Sequence, residues 1–160
     1  MILQHRLKAN SDRLDIELVK HYGNLPQVEC YAGQQNQVFM NVLSNAIDAL
    51  EESLANNQAQ ITSPTITIHT EQVDTDQIEI RIADNGLSIP ESVRQRLFDP
   101  FFTTKPVGKG TGIGLSISYQ IVTEKHGGSL SCTSEPGEGA EFKIRVPVRQ
   151  EVSKNVAIGV

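Results

Sequence analysis

The chain is short of cysteine, of positive charge and of long apolar runs, and each shortage removes a class of function. There are only two cysteines in 160 residues, Cys30 and Cys132, with no C-x-x-C spacing. A disulfide framework or structural metal knot is not expected, and two buried thiols in a cytosolic domain are. Acidic residues outnumber basic ones, 19 to 14, leaving a net charge of −5. A nucleic-acid partner is therefore not expected, because a grip on phosphate backbone needs a basic face. No apolar run reaches the ~20 residues that span a bilayer. Met1 to Lys8 lacks the apolar core and small-residue cleavage site of a signal peptide, so a cytoplasmic setting is expected. His5, His21, His69 and His126 are scattered without metal-ligand spacing. Internal repeats and low-complexity segments are absent, and 38% hydrophobic with 21% charged residues describes an ordinary globular chain.

Glycine, by contrast, is concentrated. Gly108-Lys109-Gly110-Thr111-Gly112-Ile113-Gly114 holds four of the chain's 12 glycines and precedes an apolar run from Leu115 to Val122. A backbone without Cβ atoms can bring its N–H groups against an anion. A helix start behind it adds unpaired donors and a positive dipole end. Lys105, Lys109 and Thr111 add phosphate-binding side chains, which a plain linker would not need.

The periodicities predict the elements around this loop. Leu14, Ile16 and Leu18 alternate with polar neighbours, predicting a strand that closes at Tyr22-Gly23-Asn24, and Val28–Tyr31 reads as a second short strand. From Gln34 to about Leu54 a long helix is predicted. Phe39, Val42, Leu43, Ala46, Ile47 and Leu50 form its apolar stripe, and Gln34, Gln37, Asn41, Asn45, Asp48 and Glu52 lie opposite. Residues 65–70 and 78–82 alternate about an Asp74-Thr75-Asp76 turn, predicting an antiparallel pair. Ser88 and Glu91 stand at capping-box spacing before a short helix to about Leu97. A second helix is predicted from Gly112 to Lys125, stopped by Gly127-Gly128, followed by strands over 129–134 and 141–148. The fold class expected is α+β: a two-layer sandwich with a mixed, mostly antiparallel sheet covered on one face by helices. Strictly alternating parallel units, as a Rossmann fold requires, are absent.

Three polar groupings carry the chemistry. Asn41 and Asn45 are one helical turn apart, in a position where asparagine is a mediocre helix former. An amide oxygen there suits Mg²⁺, which prefers hard oxygens and few protein ligands beside phosphates. Asp84-Asn85-Gly86 ends a strand. An acceptor-only carboxylate there either closes an Asx turn or pairs with the exocyclic amine of adenine while rejecting the carbonyl of guanine. Phe98-Asp99-Pro100-Phe101-Phe102-Thr103-Thr104-Lys105 sets aromatics in a loop, either stapling its base to the core or docking as a hinged lid.

Taken in order, these segments resemble the ATP-binding catalytic domain of sensor histidine kinases, in the GHKL (Bergerat-type) superfamily that includes gyrase. Residues 37–46 resemble its N box, Asp84-Asn85-Gly86 its first glycine box, 98–105 its F box, 108–115 its second glycine box and 137–142 its closing strand. The resemblance covers roughly residues 10–149, with 1–9 as the end of a longer helix and 150–160 as a tail. It implies ATP and Mg²⁺ as cofactors, with Asn45 on the metal and Asn41 and Asp48 in the polar wall near the phosphates. It implies that Asp84 reads adenine, with Gly86 allowing close approach. Lys105, Lys109 and Thr111 would hold phosphates from the lid, Asn41 and Lys105 being the positions nearest the chemistry. Gly110, Gly112 and Gly114 would let the lid approach, and Leu115 would start the next helix.

Two positions depart from the family pattern: Ser88 stands at a glycine, and Ala140 where a hydroxyl residue is common. They put ATP affinity in question more than identity. None of the four histidines is followed by an acidic residue, as the family's phosphate acceptor is. The expected partners are thus a separate dimerisation and histidine-phosphotransfer domain and a downstream response regulator, with the isolated domain a monomer. An anti-sigma-type serine kinase or regulatory ATP-binding module would share the fold. A gyrase-type ATPase would need an acid where Asn41 stands.

Overall fold

The computed structural model describes residues 16–55, 63–102, 114–135 and 138–149. The alternating segments pair into one five-stranded sheet, with β1 (Glu17–Tyr22), β2 (Thr65–Gln72), β3 (Gln77–Asp84), β4 (Ser129–Ser134) and β5 (Ala140–Pro147) in the order β1-β2-β3-β5-β4. β1 lies parallel to β2, and every other pairing is antiparallel. The hairpin turn between β2 and β3 closes as its composition requires: Asp76 N–H donates to the Asp74 carboxylate at 2.8 Å and Val73 N–H to Gln77 O at 3.0 Å.

Period-two alternation gives this sheet one apolar face. Ile66, Ile78, Ile80, Ile82, Leu130, Phe142, Ile144 and Val146 point into the core. On the other face Glu79 is nonetheless buried, where Arg145 Nε donates to it at 2.8 Å. Burial raises its pKa, but the Arg145 hydrogen bond and the charges of Lys143, Arg145 and Arg81 outweigh that and hold it below the usual glutamate value.

Helices cover the apolar face. α1 (Ala32–Ala55) buries Val42, Leu43, Ala46, Ile47 and Leu50 from the predicted stripe, with Val38 added and Phe39 only half-buried. Each large aliphatic side chain so buried contributes about 1.5–3 kcal/mol. α2 (Glu91–Arg94) is a single turn, and α3 (Gly114–Gln120) continues as a π-helical turn over Ile121–Lys125. Gly128 N–H donates to Val122 O at 2.8 Å, closing that helix where the paired glycines predict. The buried His126 locks the junction: its Nε2 accepts from Tyr31 N–H at 3.0 Å, which assigns the proton to Nδ1, facing Ile121 O at 3.0 Å.

Three expectations need correction. Val28–Tyr31 is not a strand; Glu29 N–H reaches Val148 O at 2.8 Å, but no ladder follows it. Ser88 does not cap α2. Pro90 occupies the N-cap without a side-chain hydrogen bond, while the Ser88 hydroxyl donates to Glu135 O at 2.5 Å. That bond draws Ser88 toward the end of β4, away from the helix start. The helix expected from Gly112 is seen from Gly114, with Gly112 outside the described residues, as are Leu14 and residues 1–9 and 150–160.

Candidate nucleotide site

The site is organised by one row of side chains on α1. Asn41, Asn45, Ala49 and Ser53 recur every four residues, so they share a face and span about 18 Å along the helix. At one end of the row the Asn41 amide nitrogen donates to Gly114 O at 3.0 Å and to Ser118 Oγ at 3.1 Å. Ser118 is fully buried and itself donates to Gly114 O at 2.8 Å. A carbonyl only accepts, so the Asn41 nitrogen faces α3 and its oxygen is turned away from that carbonyl. The first glycine-flanked turn of α3 is thereby fixed to α1.

At the other end, Ser53 Oγ accepts from Leu87 N–H at 2.8 Å and donates to Ala49 O at 2.7 Å. This seats the segment after β3 against α1. Gly86 lies in the same contact: a Cβ there would come within 2.9 Å of Ser53 Oγ and 3.0 Å of Asp84 Oδ1. Only glycine lets the chain pass this close. Asn45 occupies the middle of the row, half-buried, one turn from each neighbour, and Asp48 is half-buried beside it. α1 thus touches the start of α3 through Asn41 and the segment after Asp84 through Ser53.

Asp84 is the most perturbed group in that segment. Its residue is 6% exposed. Burial pushes its carboxyl up from 3.8 to about 6, against the pull of hydrogen bonds from the Gly86 and Ala140 backbone. Oδ1 accepts Gly86 N–H at 2.9 Å, so the Asx-turn reading holds for one oxygen. Among the described residues no cation pairs with the acid, and a buried carboxylate with no counter-charge is a marker of function more than of stability. Asn85 has a purely structural role, accepting from Thr65 N–H at 2.8 Å and donating to Ser63 O at 2.9 Å.

Three supports are not readable as such from local pattern. Ser53, read as part of a helix end, sets the β3 exit. Gly139 has φ +76, and a Cβ on it would collide with the Asp84 carbonyl, so the β4–β5 turn clamps the acid from behind. Ser134 Oγ accepts from Ile89 N–H at 2.8 Å and donates to Gly139 O at 2.6 Å, stitching that turn to the loop after Asp84. The one available signal was Gly139 itself, inside a Pro-Gly-Glu-Gly turn.

The aromatic loop divides its side chains. Phe98 stacks on Tyr119 at 5.2 Å and meets Phe142 edge-on at 6.4 Å, so it staples the loop base to the core as expected. The Arg96 guanidinium sits 4.6 Å over the Phe102 ring. Phe101 is 73% exposed and holds φ 65, a conformation that costs a non-glycine residue free energy. Lys105, Lys109, Gly110, Thr111 and Gly112 lie outside the described residues. Gly114 and Leu115 open α3, and Leu115 packs against the core.

The donor set fits a magnesium nucleotide in kind. It offers a neutral amide for a hard cation, a buried acceptor for an amine, and a glycine where backbone must approach. Comparison with known proteins places the chain among ATP-binding ATPase domains. Residues 33–150 match the family described as histidine kinase-, DNA gyrase B-, and HSP90-like ATPase. The chain is 40% identical over 143 residues to the sensor kinase CckA of Brucella abortus (strain 2308), covering 83% of this chain but only 14% of that protein. Among solved structures it resembles a mycobacterial sensor histidine kinase, MprB, at TM-score 0.70 and 27% identity over 94% of this chain and 89% of that one. It also resembles the histidine kinase ThkA in complex with the response regulator TrrA, at TM-score 0.63 and 26% identity, covering 83% and 34% of the two chains. Among the described residues no helix is long and apolar enough to cross a membrane. The chain belongs to the histidine kinase-, DNA gyrase B- and HSP90-like ATPase family.

Proposed function

We propose that this chain is the Mg-ATP-binding catalytic part of a sensor histidine kinase, which orients the γ-phosphate for transfer to a histidine on a separate dimerisation domain. The observation that carries the reading is Asp84: a buried acid with no cationic partner among the described residues, held between Gly86 and Gly139 near the Ser53 end of the α1 row. Ionised, its carboxylate accepts the exocyclic amine of adenine and discriminates against guanine. The Asn45 amide oxygen is the ligand assigned to Mg²⁺, with Asp48 and the outward oxygen of Asn41 in the polar wall. Lys105, Lys109 and Thr111 are assigned to the phosphates, with Gly110, Gly112 and Gly114 giving them approach. When bound, the metal neutralises charge on the phosphates, and phosphoryl transfer is then largely a matter of positioning.

No histidine in the chain has the acidic neighbour expected of an acceptor, so autophosphorylation requires the partner domain. Solved together with its response regulator, ThkA supports such a regulator as the downstream partner. A cytoplasmic location and a monomeric isolated domain belong to the same reading, as does the division into a helix end (1–9), a catalytic domain (10–149) and a tail (150–160). The test is calorimetry with Mg-ATP and Mg-GTP, followed by incubation with labelled ATP and a dimerisation domain from a related kinase. Heat with Mg-ATP alone and acid-labile, base-stable phosphate on the partner's histidine are expected. No Mg-ATP heat up to millimolar concentration would refute nucleotide binding, and phosphoserine on a partner would refute the histidine assignment.

A further inference from the structure

The segment from Asn85 to Pro90 has no regular secondary structure, yet it is tied down residue by residue. Asn85 N–H donates to Thr65 O at 3.3 Å, Gly86 N–H to Asp84 Oδ1 at 2.9 Å, Leu87 N–H to Ser53 Oγ at 2.8 Å and Ile89 N–H to Ser134 Oγ at 2.8 Å. The Ser88 hydroxyl adds a bond to Glu135 O. Connecting loops are ordinarily among the more mobile parts of a fold. This one is fastened to β2, to α1 and to the end of β4.

Two of those bonds concern the acid. Asp84 pairs with Ala140, and Ala140 with Ser134, so the three stand in one row across the ends of β3, β5 and β4. Direct partners in a ladder face the same side, and Ala140 contributes only a methyl group between the carboxylate and the Ser134 hydroxyl. The Asp84 carboxylate accepts two backbone N–H groups, from Gly86 and from Ala140. These donors belong to different chain segments, the loop after β3 and the start of β5. What joins the two segments is Ser134 and Ser88. Ser134 Oγ accepts from Ile89 on the loop side and donates to Gly139 O at 2.6 Å on the β5 side. Ser88 reaches Glu135, in the turn that leads to β5. The two hydroxyls therefore set the separation of the donors that orient the carboxylate.

We propose that Ser88 and Ser134 are positioning residues for base recognition, locking together the two segments that donate to Asp84 so that its carboxylate is aimed before nucleotide arrives. The inference rests on the Mg-ATP reading of this site. A group held in its binding geometry does not have to be ordered on association, and that saving appears as affinity. It depends on outer hydrogen bonds that fix the contacting group. Ser88 thereby acquires a role opposite to the one its replacement of a glycine suggests: the added side chain tightens the rim instead of crowding it.

The test uses the full chain, with calorimetry against Mg-ATP and against the Mg complex of purine riboside triphosphate, which lacks the exocyclic amine. Amide hydrogen exchange without nucleotide is the second readout. Ser134→Ala should weaken Mg-ATP binding ~10-fold and binding of the amine-free nucleotide less than ~2-fold. The same variant should speed exchange of the Gly86 and Ile89 amides at least ~10-fold, and Ser134→Thr, which keeps the hydroxyl, should restore both. Ser88→Ala and Ser88→Gly should each weaken Mg-ATP ~3-fold with the same selectivity. Should Ser134→Ala not fold, the Ser88 variants decide, because the Ser88–Glu135 bond is exposed. Equal losses for the two nucleotides, unchanged exchange at Gly86 and Ile89, or Ser88→Gly binding Mg-ATP as tightly as the parent overturns the positioning role and leaves the nucleotide site standing. No Mg-ATP heat from the parent overturns both.

Discussion

Asp84→Asn should make the free domain more stable while removing its reason to exist. The Asp84 carboxyl titrates near 3.8 when exposed and at about 6 in the fold. Between those values the folded carboxyl holds a proton that the unfolded one has lost. Stability therefore falls as pH rises through that window, and stays lower above it. The difference corresponds to about 3 kcal/mol at neutral pH, and with the residue 6% exposed solvent screening reduces it little. Asparagine keeps the shape and an oxygen for Gly86 N–H but carries no charge to desolvate. Urea unfolding at pH 7.5 should show the variant more stable by up to about 3 kcal/mol, and the gap should shrink to about 1 kcal/mol at pH 4.5. In the same samples Mg-ATP affinity should fall at least ~10-fold, because an amide can present its donor where the acceptor was required. A variant no more stable than the parent at pH 7.5, or a gap unchanged at pH 4.5, would refute the claim that Asp84 is an uncompensated buried charge.

The same titration sets the pH dependence of binding. Corrected for protonation of the nucleotide itself, Mg-ATP affinity should be constant above pH 7 and drop about tenfold per unit below pH 6, as the acceptor is lost; a flat calorimetric profile down to pH 5 would contradict the adenine assignment. Gly139→Ala combines a left-handed backbone with a collision on the Asp84 carbonyl, so it should cost about 2 kcal/mol or more, read as a lowered urea midpoint. Asn45→Ala and Asn41→Ala should separate function from structure. The first should abolish the magnesium-dependent part of ATP binding with stability changed by less than about 1 kcal/mol, and the second should cost about 1–2 kcal/mol through the lost tie to Gly114 and Ser118; equal unfolding midpoints for the two variants would contradict this division. Phe98→Ala should cost about 3 kcal/mol by emptying the space between Tyr119 and Phe142, whereas Phe101→Ala should leave the thermal midpoint unchanged or higher.

Where the sequence was readable, the reason is periodicity. The long α1 stripe and the β2–β3 and β4–β5 alternations are patterns that only one secondary structure can bury, so their elements were legible within a few residues. Val28–Tyr31 misled because a short apolar run has no period to test. Ser88 and Glu91 misled because their spacing satisfies a capping pattern that a stronger bond, Ser88 to Glu135, overrides in space. Asp84 was legible as a type, an acidic residue at a strand end. Its environment was not, since the pressure on its titration comes from burial by segments far away in the chain.

By itself, then, the sequence determined the α+β class, the helix that carries Asn41 and Asn45, and the identity of the family, because local pattern and motif order are properties of one dimension. The tertiary structure alone decided that β1 runs parallel to β2, that Ser53 and Gly139 hold Asp84 from two sides, and that Ser88 and Ser134 tie the loop after Asp84 to the β4–β5 turn. Those facts depend on which distant segments meet, and the free energy of such meetings is written in no single stretch of residues.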